Sequence, residues 1–261
     1  MWITNLIFDD SACRQTGVKY QTEIFLSNFR PLLYVFGIEI YLKIFENIFR
    51  TSYTFHMKNQ NKSLKNIANF IYEAGILNKT PRSGLWFLGT GAQSVSEHIF
   101  RTTVIGYALS ELIPRADKNK VILLCLIHDL GESRTSDLNY VHQKYGRLAE
   151  SQAVEDIAKS LPFGANLKSL HKEAKERKTL EAKIAKDADN LEWMATLREE
   201  FDKGNFKAKS WIELAYKRLK TPQAKKLGKL LTEIKPDDWW FNEKDKWFID
   251  RKPETKKWKS K

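Results

Sequence analysis

Apolar residues recur at helical intervals along most of the chain. After the polar stretch 58–65, for example, Ile67, Phe70, Ile71 and Ala74 fall on one helical face. Gly and Pro, which interrupt helices, are scarce, with 12 and 7 residues among 261. Because Leu, Lys, Glu and Ala are abundant as well, we expect an all-α protein.

Two segments have clear helix signals. The sequence Ser-Val-Ser-Glu at 94–97 is a capping box and predicts a helix start. The run Val121–Ile127 is apolar on every side, which predicts a central, buried helix, and Cys125 within it a buried thiol. That run ends at His128-Asp129, two polar residues that need partners if they are buried.

Later helices are predicted at about 147–160, 168–201 and 211–234, the last one broken at Thr221-Pro222. Pro236 then opens a basic tail, whose tryptophans are expected to pack on the core: Trp239, Trp240, Trp247 and Trp258. We therefore divide the chain into an N-terminal appendage of unclear role (1–56), a main domain (57–235) and this Trp-rich C-terminal tail (236–261). A chain beginning at Met57 that failed to fold or lost activity would contradict that division.

The formal net charge of +12 favours acidic partners such as a phosphate-bearing substrate, nucleic acid or an anionic membrane. Because the lysines are spread along the chain, a solvated surface explains most of them. The apolar stretch Pro31–Phe49 contains Glu39, Lys43 and Glu46, which argue against a membrane span. Two distant cysteines form no disulfide framework, so we expect a cytoplasmic protein.

Four residues stand out as candidate metal ligands. His98 lies near a helix start, His128 and Asp129 end the buried helix, and Asp189 lies within a later helix. Two imidazoles and two carboxylates suit a divalent transition metal better than calcium. Such a metal lowers the pKa of water and supplies a nucleophile at neutral pH.

The contexts of these residues resemble a known family. In order, they are Ser-Val-Ser-Glu-His at 94–98, Leu-Ile-His-Asp-Leu-Gly-Glu at 126–132, Thr-Ser-Asp-Leu at 135–138 and Lys-Asp-Ala-Asp-Asn-Leu-Glu at 186–192. The ordered set resembles the HD-domain superfamily of metal-dependent phosphohydrolases over about residues 66–202. Within that superfamily it is similar to the 5'-deoxynucleotidase subgroup.

The resemblance implies an all-α HD-domain bundle with one divalent metal ion between its central helices. The ligands would be His98, His128, Asp129 and Asp189, and the ion could be Mn, Co, Fe, Ni or Zn. The implied reaction is hydrolysis of a nucleoside 5'-monophosphate to nucleoside and phosphate, and the implied assembly is a homodimer.

The resemblance also assigns helpers to this reaction. Glu132 and Asp137 would act on the water or the leaving group, and Arg82 would contact the phosphate. In the subgroup's best-known members an aromatic residue follows that Arg, whereas here Ser83 follows it and the nearest aromatic is Trp86. The sugar and base preference therefore stays open.

Two alternatives remain. One is an HD phosphodiesterase, or a hydrolase of another phosphorylated metabolite, which would need a roomier pocket or a second metal. His142 and His171 are candidates for that metal, although a surface position is favoured for both. The other is a catalytically silent module that binds nucleic acid or regulates.

In the last motif, Asp187 is expected to be solvated, and Glu192 lies either beside the site or on the surface.

Overall fold

The computed structural model describes residues 39–250. The chain divides into two compact units, residues 1–62 and residues 63–261. The first unit is described only by the beginning of helix α1 (Glu39–Ala74), on which Ile48 and Phe55 are exposed. Cys13, Trp258 and residues 1–38 of the predicted appendage lie outside the described part.

After α1, the chain forms a 3-10 turn at Gly75–Asn78 and then a series of helices. They are α2 (Leu85–Leu88), α3 (Val95–Glu111), α4 (Lys118–Ile127), α5 (Glu132–Thr135), α6 (His142–Tyr145), α7 (Glu150–Ala158), α8 (Gly164–Glu176), α9 (Leu180–Asp202), α10 (Ala208–Lys217), α11 (Pro222–Glu233) and α12 (Trp247–Asp250). Between residues 39 and 250 there is no β-sheet, only an antiparallel bridge from Pro81 to Ser94. The prediction of an all-α fold is confirmed.

The capping box predicted at Ser94 forms at the start of α3. The Ser94 hydroxyl accepts a hydrogen bond from the Glu97 amide, and the Glu97 carboxylate accepts one from the Ser94 amide at 2.6 Å. Together they satisfy donors that a helix N-terminus otherwise leaves unpaired. The cap sets the register of α3, and with it the direction of His98, four residues further on.

The apolar helix α4 starts at Asp117, whose carboxylate accepts a hydrogen bond from the Lys120 amide at 3.1 Å. Val121, Leu124 and Cys125 are 0% exposed, as expected for a central helix. Burial on every side is wrong, however, because Leu123 and Leu126 are 41% and 51% exposed. α4 therefore packs with one face inward and leaves apolar side chains on the other.

Helix α9 is the centre of the bundle and packs against α3, α4, α10 and α11. Leu191, Met194 and Leu197 on this helix are at most 1% exposed, and burial of each such side chain stabilises the fold by about 1.5–3 kcal/mol. Small residues let the helices approach closely, since a Cβ added to Gly106 of α3 would lie 3.7 Å from that of Ala188. The candidate ligands lie where these helices meet.

The single helix predicted at 168–201 is two helices. Arg177 ends α8 in the left-handed region, with φ of 54°, and Thr179 begins α9 by accepting a hydrogen bond from the Ala182 amide at 3.2 Å. A Thr cap competes with continuation of a helix, because its hydroxyl replaces a backbone acceptor. The chain therefore turns between α8 and α9.

The expectation that the tail tryptophans pack on the core is wrong for the described ones. Trp239, Trp240 and Trp247 are 85%, 51% and 53% exposed. They contact neighbouring aromatic rings instead, as in the 6.0 Å separation between the ring centroids of Trp240 and Phe248. None of the helices described between residues 39 and 250 is long and apolar enough to cross a membrane.

Candidate metal centre

Three helices bring the predicted ligands together. His98 comes from the first turn of α3, His128 follows α4, and Asp189 lies in the middle of α9. The Nε2 atom of His98 is 3.3 Å from Nε2 of His128 and 3.2 Å from Oδ1 of Asp189. One atom from each of these residues lies within 4.8 Å of the others, a spacing that can hold a metal ion.

Asp129 completes the predicted set. Its Oδ2 atom is 3.1 Å from Nε2 of His128 and 3.7 Å from Nε2 of His98. Its side chain is 14% exposed, and that of Asp189 is 13% exposed. Asp129 thus lies beside the group of His98, His128 and Asp189, whose ligand atoms are all within 4.8 Å of one another.

The outer nitrogens of both imidazoles are held by acceptors. Nδ1 of His98 lies 2.5 Å from Oε2 of Glu192, and Nδ1 of His128 lies 2.7 Å from the carbonyl oxygen of Cys125. A carbonyl and a carboxylate only accept, so Nδ1 carries the proton in each ring. In the neutral imidazoles both Nε2 atoms then expose lone pairs to each other, which is the tautomer that metal-binding histidines use.

The electrostatics of this cluster favour a positive charge. Burial raises the pKa of Asp129, but His128, His98 and Arg82 together outweigh that effect and hold the pKa below its usual value. Burial and Arg82 lower the pKa of His98, yet its hydrogen bonds to Asp189 and Glu192 raise it overall. Two carboxylates and two facing lone pairs attract either a proton or a metal cation, and the donor set fits a divalent transition metal.

Glu192 is a buried carboxylate that joins His98 to a polar network. It is 0% exposed, and its Oε1 atom accepts hydrogen bonds from Nε and Nη2 of Arg101 at 3.0 and 2.8 Å. Nε2 of Gln93 donates to the same oxygen at 2.7 Å. Burial opposes ionisation, but His98, Arg101 and Gln93 together lower the pKa of Glu192 to about 2. The alternative that Glu192 lies on the surface is wrong.

The segment at Arg82 faces this centre. Nη1 of Arg82 is 3.4 Å from Oδ2 of Asp129. The next residue, Ser83, is 1% exposed and holds Asp137 twice. Its amide donates to Oδ2 of Asp137 and its hydroxyl donates to the Asp137 carbonyl, both at 2.8 Å. Sequence reasoning missed this contact because the two residues are 54 positions apart.

Glu132 lies beside these groups with 7% of its surface exposed. Burial raises the pKa of Glu132 to about 10, and the charges of Asp129 and Asp137 add to the effect. Its Oε2 atom has no hydrogen-bond partner among the described residues. The structure therefore places Glu132, Asp137 and Arg82 around the four candidate ligands.

A cavity of about 560 Å³ opens at the centre, a size ordinary for a small-molecule site. Its lining includes Arg82, Asp129, Glu132, Asp137 and Asp189. Lys175, Arg177 and Lys186 also line it and make part of its wall basic. The cavity thus offers an anionic substrate both the metal centre and positive charge.

The sequence predicts that Asp187, His171 and His142 are exposed, and the structure contradicts this for Asp187 and His171. Asp187 is 0% exposed rather than solvated, and its carboxylate accepts hydrogen bonds from the amides of Lys220 and Thr221 at the start of α11. His171 is buried at 4% exposure, not on the surface. His142 is exposed, as expected, and contacts Asn139. Among residues 39–250 neither histidine joins a second group of metal-binding side chains.

Comparison with known proteins identifies the family of this chain. The family model described as HD domain matches residues 74–231. A 5'-deoxynucleotidase of Dictyostelium discoideum is 31% identical over 164 residues, which are 58% of this chain and 85% of that protein. A human 5'-deoxynucleotidase is 25% identical over 141 residues, 52% of this chain and 68% of that protein.

Solved structures are similar as well. A conserved hypothetical protein of Pyrococcus furiosus is 25% identical, with a TM-score of 0.56 over 64% of this chain and 99% of that one. A protein of Magnetospirillum magnetotacticum named "predicted metal-dependent phosphohydrolase" shares the fold, at 20% identity and a TM-score of 0.54 over 66% of this chain and 94% of its own. With a family model covering more than half of its length, this chain belongs to the HD-domain family of metal-dependent phosphohydrolases.

Proposed function

We propose that this phosphohydrolase cleaves nucleoside 5'-monophosphates, deoxynucleotides in particular, to nucleoside and phosphate. The observation that carries the proposal is the pair of Nε2 atoms of His98 and His128, 3.3 Å apart. They lie beside Asp129 and Asp189, two carboxylates that line a cavity together with Arg82. The names of the relatives in Dictyostelium and human support the nucleotide substrate.

His98, His128, Asp129 and Asp189 would hold one divalent metal ion. When bound, such an ion lowers the pKa of water and polarises the phosphate ester. The protein holds His98 and His128 in the tautomer that this ion needs, through Glu192 and the Cys125 carbonyl. The identity of the metal among Mn, Co, Fe, Ni and Zn depends on availability as much as on these ligands.

The remaining polar groups have roles that follow from their positions. Among residues 39–250 the Arg82 guanidinium makes one long hydrogen bond, 3.4 Å from Nη1 to Oδ2 of Asp129, which leaves most of its five donors for a phosphate. Glu132 and Asp137 act on the water and the leaving oxygen. In the reaction the phosphorus–oxygen bond to the nucleoside breaks, a water oxygen bonds to phosphorus, and a proton goes to the 5'-oxygen.

The experiment is phosphate release from a panel of ribo- and deoxynucleoside 5'-monophosphates. Metal-stripped protein is resupplied with Mn, Co, Ni, Zn or Mg, beside the variants Asp129→Ala and Asp202→Ala. Asp202 is a control carboxylate at the exposed end of α9. Release that needs a transition metal, vanishes in Asp129→Ala and persists in Asp202→Ala is the expected result. No release from any monophosphate with metal bound would reject the nucleotidase and direct attention to diesters or other phosphorylated metabolites.

The homodimer and the cytoplasmic location stay predictions. Light scattering of the purified protein tests the homodimer directly. The nucleic-acid-binding alternative predicts steeply salt-dependent binding without phosphate release under any metal.

A further inference from the structure

The cavity beside the metal centre has an aromatic wall that the proposed chemistry does not use. Tyr140, Trp193 and Arg218 line the same cavity as Asp129 and Asp189. Phosphate chemistry needs no aromatic ring, because the charge of a phosphate is met by cations and hydrogen-bond donors. These rings are therefore available to the organic part of a phosphorylated substrate.

Trp193 lies close to the candidate ligands. It comes four residues after Asp189 on α9, so the two side chains share a helical face about 6 Å apart along the axis. A Cβ at Gly84 would lie 3.6 Å from Cη2 of Trp193, so the segment that carries Arg82 and Ser83 packs on this ring. The indole is thus placed one helical turn from the expected phosphate position.

Tyr140 extends the wall toward solvent. Its ring centroid lies 6.0 Å from that of Trp211, which in turn is 6.3 Å from that of Trp193. Tyr140 is 41% exposed, whereas Trp193 is 6% exposed. The guanidinium of Arg218 sits 5.4 Å from the Tyr140 ring centroid, and its Nη1 atom is 3.3 Å from the Tyr140 hydroxyl. Packing by Trp211 and Arg218 holds the Tyr140 ring in place.

We infer that the aromatic wall formed by Tyr140, Trp193 and Arg218 binds a planar nitrogen heterocycle carried by the phosphorylated ligand. The inference rests on the proposed function, because it takes the phosphate to lie at the metal centre. A nucleobase offers a flat face that stacks on an aromatic ring whatever its identity. Arg218 has donors and no acceptors, which suits the carbonyl oxygens and ring nitrogens of bases.

The test measures binding rather than turnover. Two probes are titrated into the metal-loaded full chain by calorimetry. One is a 2'-deoxynucleoside phosphonate with a methylene in place of the ester oxygen, and the other is the same deoxyribose phosphonate without a base. The variants are Tyr140→Ala, Tyr140→Phe and Tyr145→Ala. Tyr145 is a matched control, because it is 88% exposed and lies five residues beyond Tyr140.

The wild-type chain is expected to bind the nucleoside phosphonate roughly tenfold more tightly or better, the value of one stacked base. Tyr140→Ala should remove most of that preference and leave the Kd of the sugar phosphonate within about twofold. Tyr140→Phe and Tyr145→Ala should keep the preference, since the first retains a ring and the second does not change the wall.

Equal affinity of the wild-type chain for the two probes would overturn the inference. So would a Tyr140→Ala variant that weakens both probes alike, because the role of Tyr140 would then be structural. Phosphate release is scored separately. A chain that releases phosphate from nucleotides but binds both probes equally loses only the aromatic subsite. A chain that prefers the nucleoside probe yet releases no phosphate loses only the proposed function.

Discussion

Nδ1 of His98 lies 2.5 Å from Oε2 of Glu192, and both side chains are 0% exposed. The carboxylate is itself held by Arg101, so it cannot turn away from the imidazole without breaking a buried ion pair. A metal-binding histidine depends on such a partner for its tautomer and its orientation. Glu192 is therefore expected to support metal binding through His98, although it is not one of the four predicted ligands.

Glu192→Gln is expected to lower metal affinity about 10–100-fold, the usual cost of losing the carboxylate behind a metal-binding histidine. Competition with a chromophoric chelator measures the affinity. Glu199→Gln is the matched control, because Glu199 contacts Arg101 at 2.5 Å on the same helix and, at 38% side-chain exposure, is more open. Equal metal affinity in the two variants would show that Glu192 only balances the charge of Arg101.

Asp187→Ala is expected to destabilise the fold without affecting metal binding. The Asp187 carboxylate accepts hydrogen bonds from the Lys220 amide, the Thr221 amide and the Thr221 hydroxyl at 2.8, 2.7 and 2.7 Å. Buried donors left unpaired cost about 1–3 kcal/mol each, so a loss of about 3 kcal/mol is expected. Thermal unfolding should show a Tm lower by about 6–12 °C, while metal still raises the Tm. A Tm within about 2 °C of wild type would contradict the capping role.

Asp189→Ala is expected to impair metal binding instead of the stability of the fold, although Asp189 lies only two residues from Asp187. It should abolish the stabilisation by metal, which amounts to about 2.7 kcal/mol when free metal is at 100 times its Kd. Thermal scans of stripped and metal-loaded protein measure that difference for both variants. A normal rise in Tm on adding metal to Asp189→Ala would remove Asp189 from the ligand set.

Ser83→Ala is expected to lower kcat by roughly tenfold with little change in KM, because small displacements of a reacting group are costly. The change removes the 2.8 Å hydrogen bond from the Ser83 hydroxyl to the Asp137 carbonyl. Steady-state phosphate release measures both constants, and circular dichroism checks the fold. Ser96→Ala is the control, as Ser96 lies in the first turn of α3 and contacts Ser94 instead. Unchanged kcat in Ser83→Ala would mean that the amide of residue 83 alone positions Asp137.

Gly106→Ala is expected to destabilise the contact between the helices that carry His98 and His128. The new Cβ would lie 2.5 Å from Sγ of Cys125 and 3.3 Å from Cγ1 of Val121. Overpacking of this kind costs about 1–3 kcal/mol, measurable by urea unfolding. The double variant Gly106→Ala/Cys125→Ala should be more stable than Gly106→Ala, since it removes the clashing sulfur.

Gly75→Ala is the control for this pair, because a Cβ there meets nothing within 4 Å. It should leave the free energy of unfolding within about 0.5 kcal/mol of wild type, as surface substitutions usually do. A double variant no more stable than Gly106→Ala would place the strain in the backbone instead of at Cys125.

Helical content and helix starts were readable from the sequence because they depend on neighbouring residues. The capping box at Ser94 and the break at Pro222 both follow from contacts within four residues. The turn between α8 and α9 was missed because the cap at Thr179 competes with a long stretch of good helix formers. The exposed face of α4 was missed because periodicity does not show how many neighbours a helix has.

The sequence by itself determined the all-α class and the family, and it singled out the four candidate metal ligands. It could do so because a motif records residue types in order. Only the tertiary structure decided which partner each carboxylate of the segment 186–192 contacts. Asp187 caps α11 from 34 residues away, and Glu192 holds His98 across 94 residues. Burial and hydrogen bonding depend on which helix faces meet, and packing between distant segments settles that question rather than local periodicity.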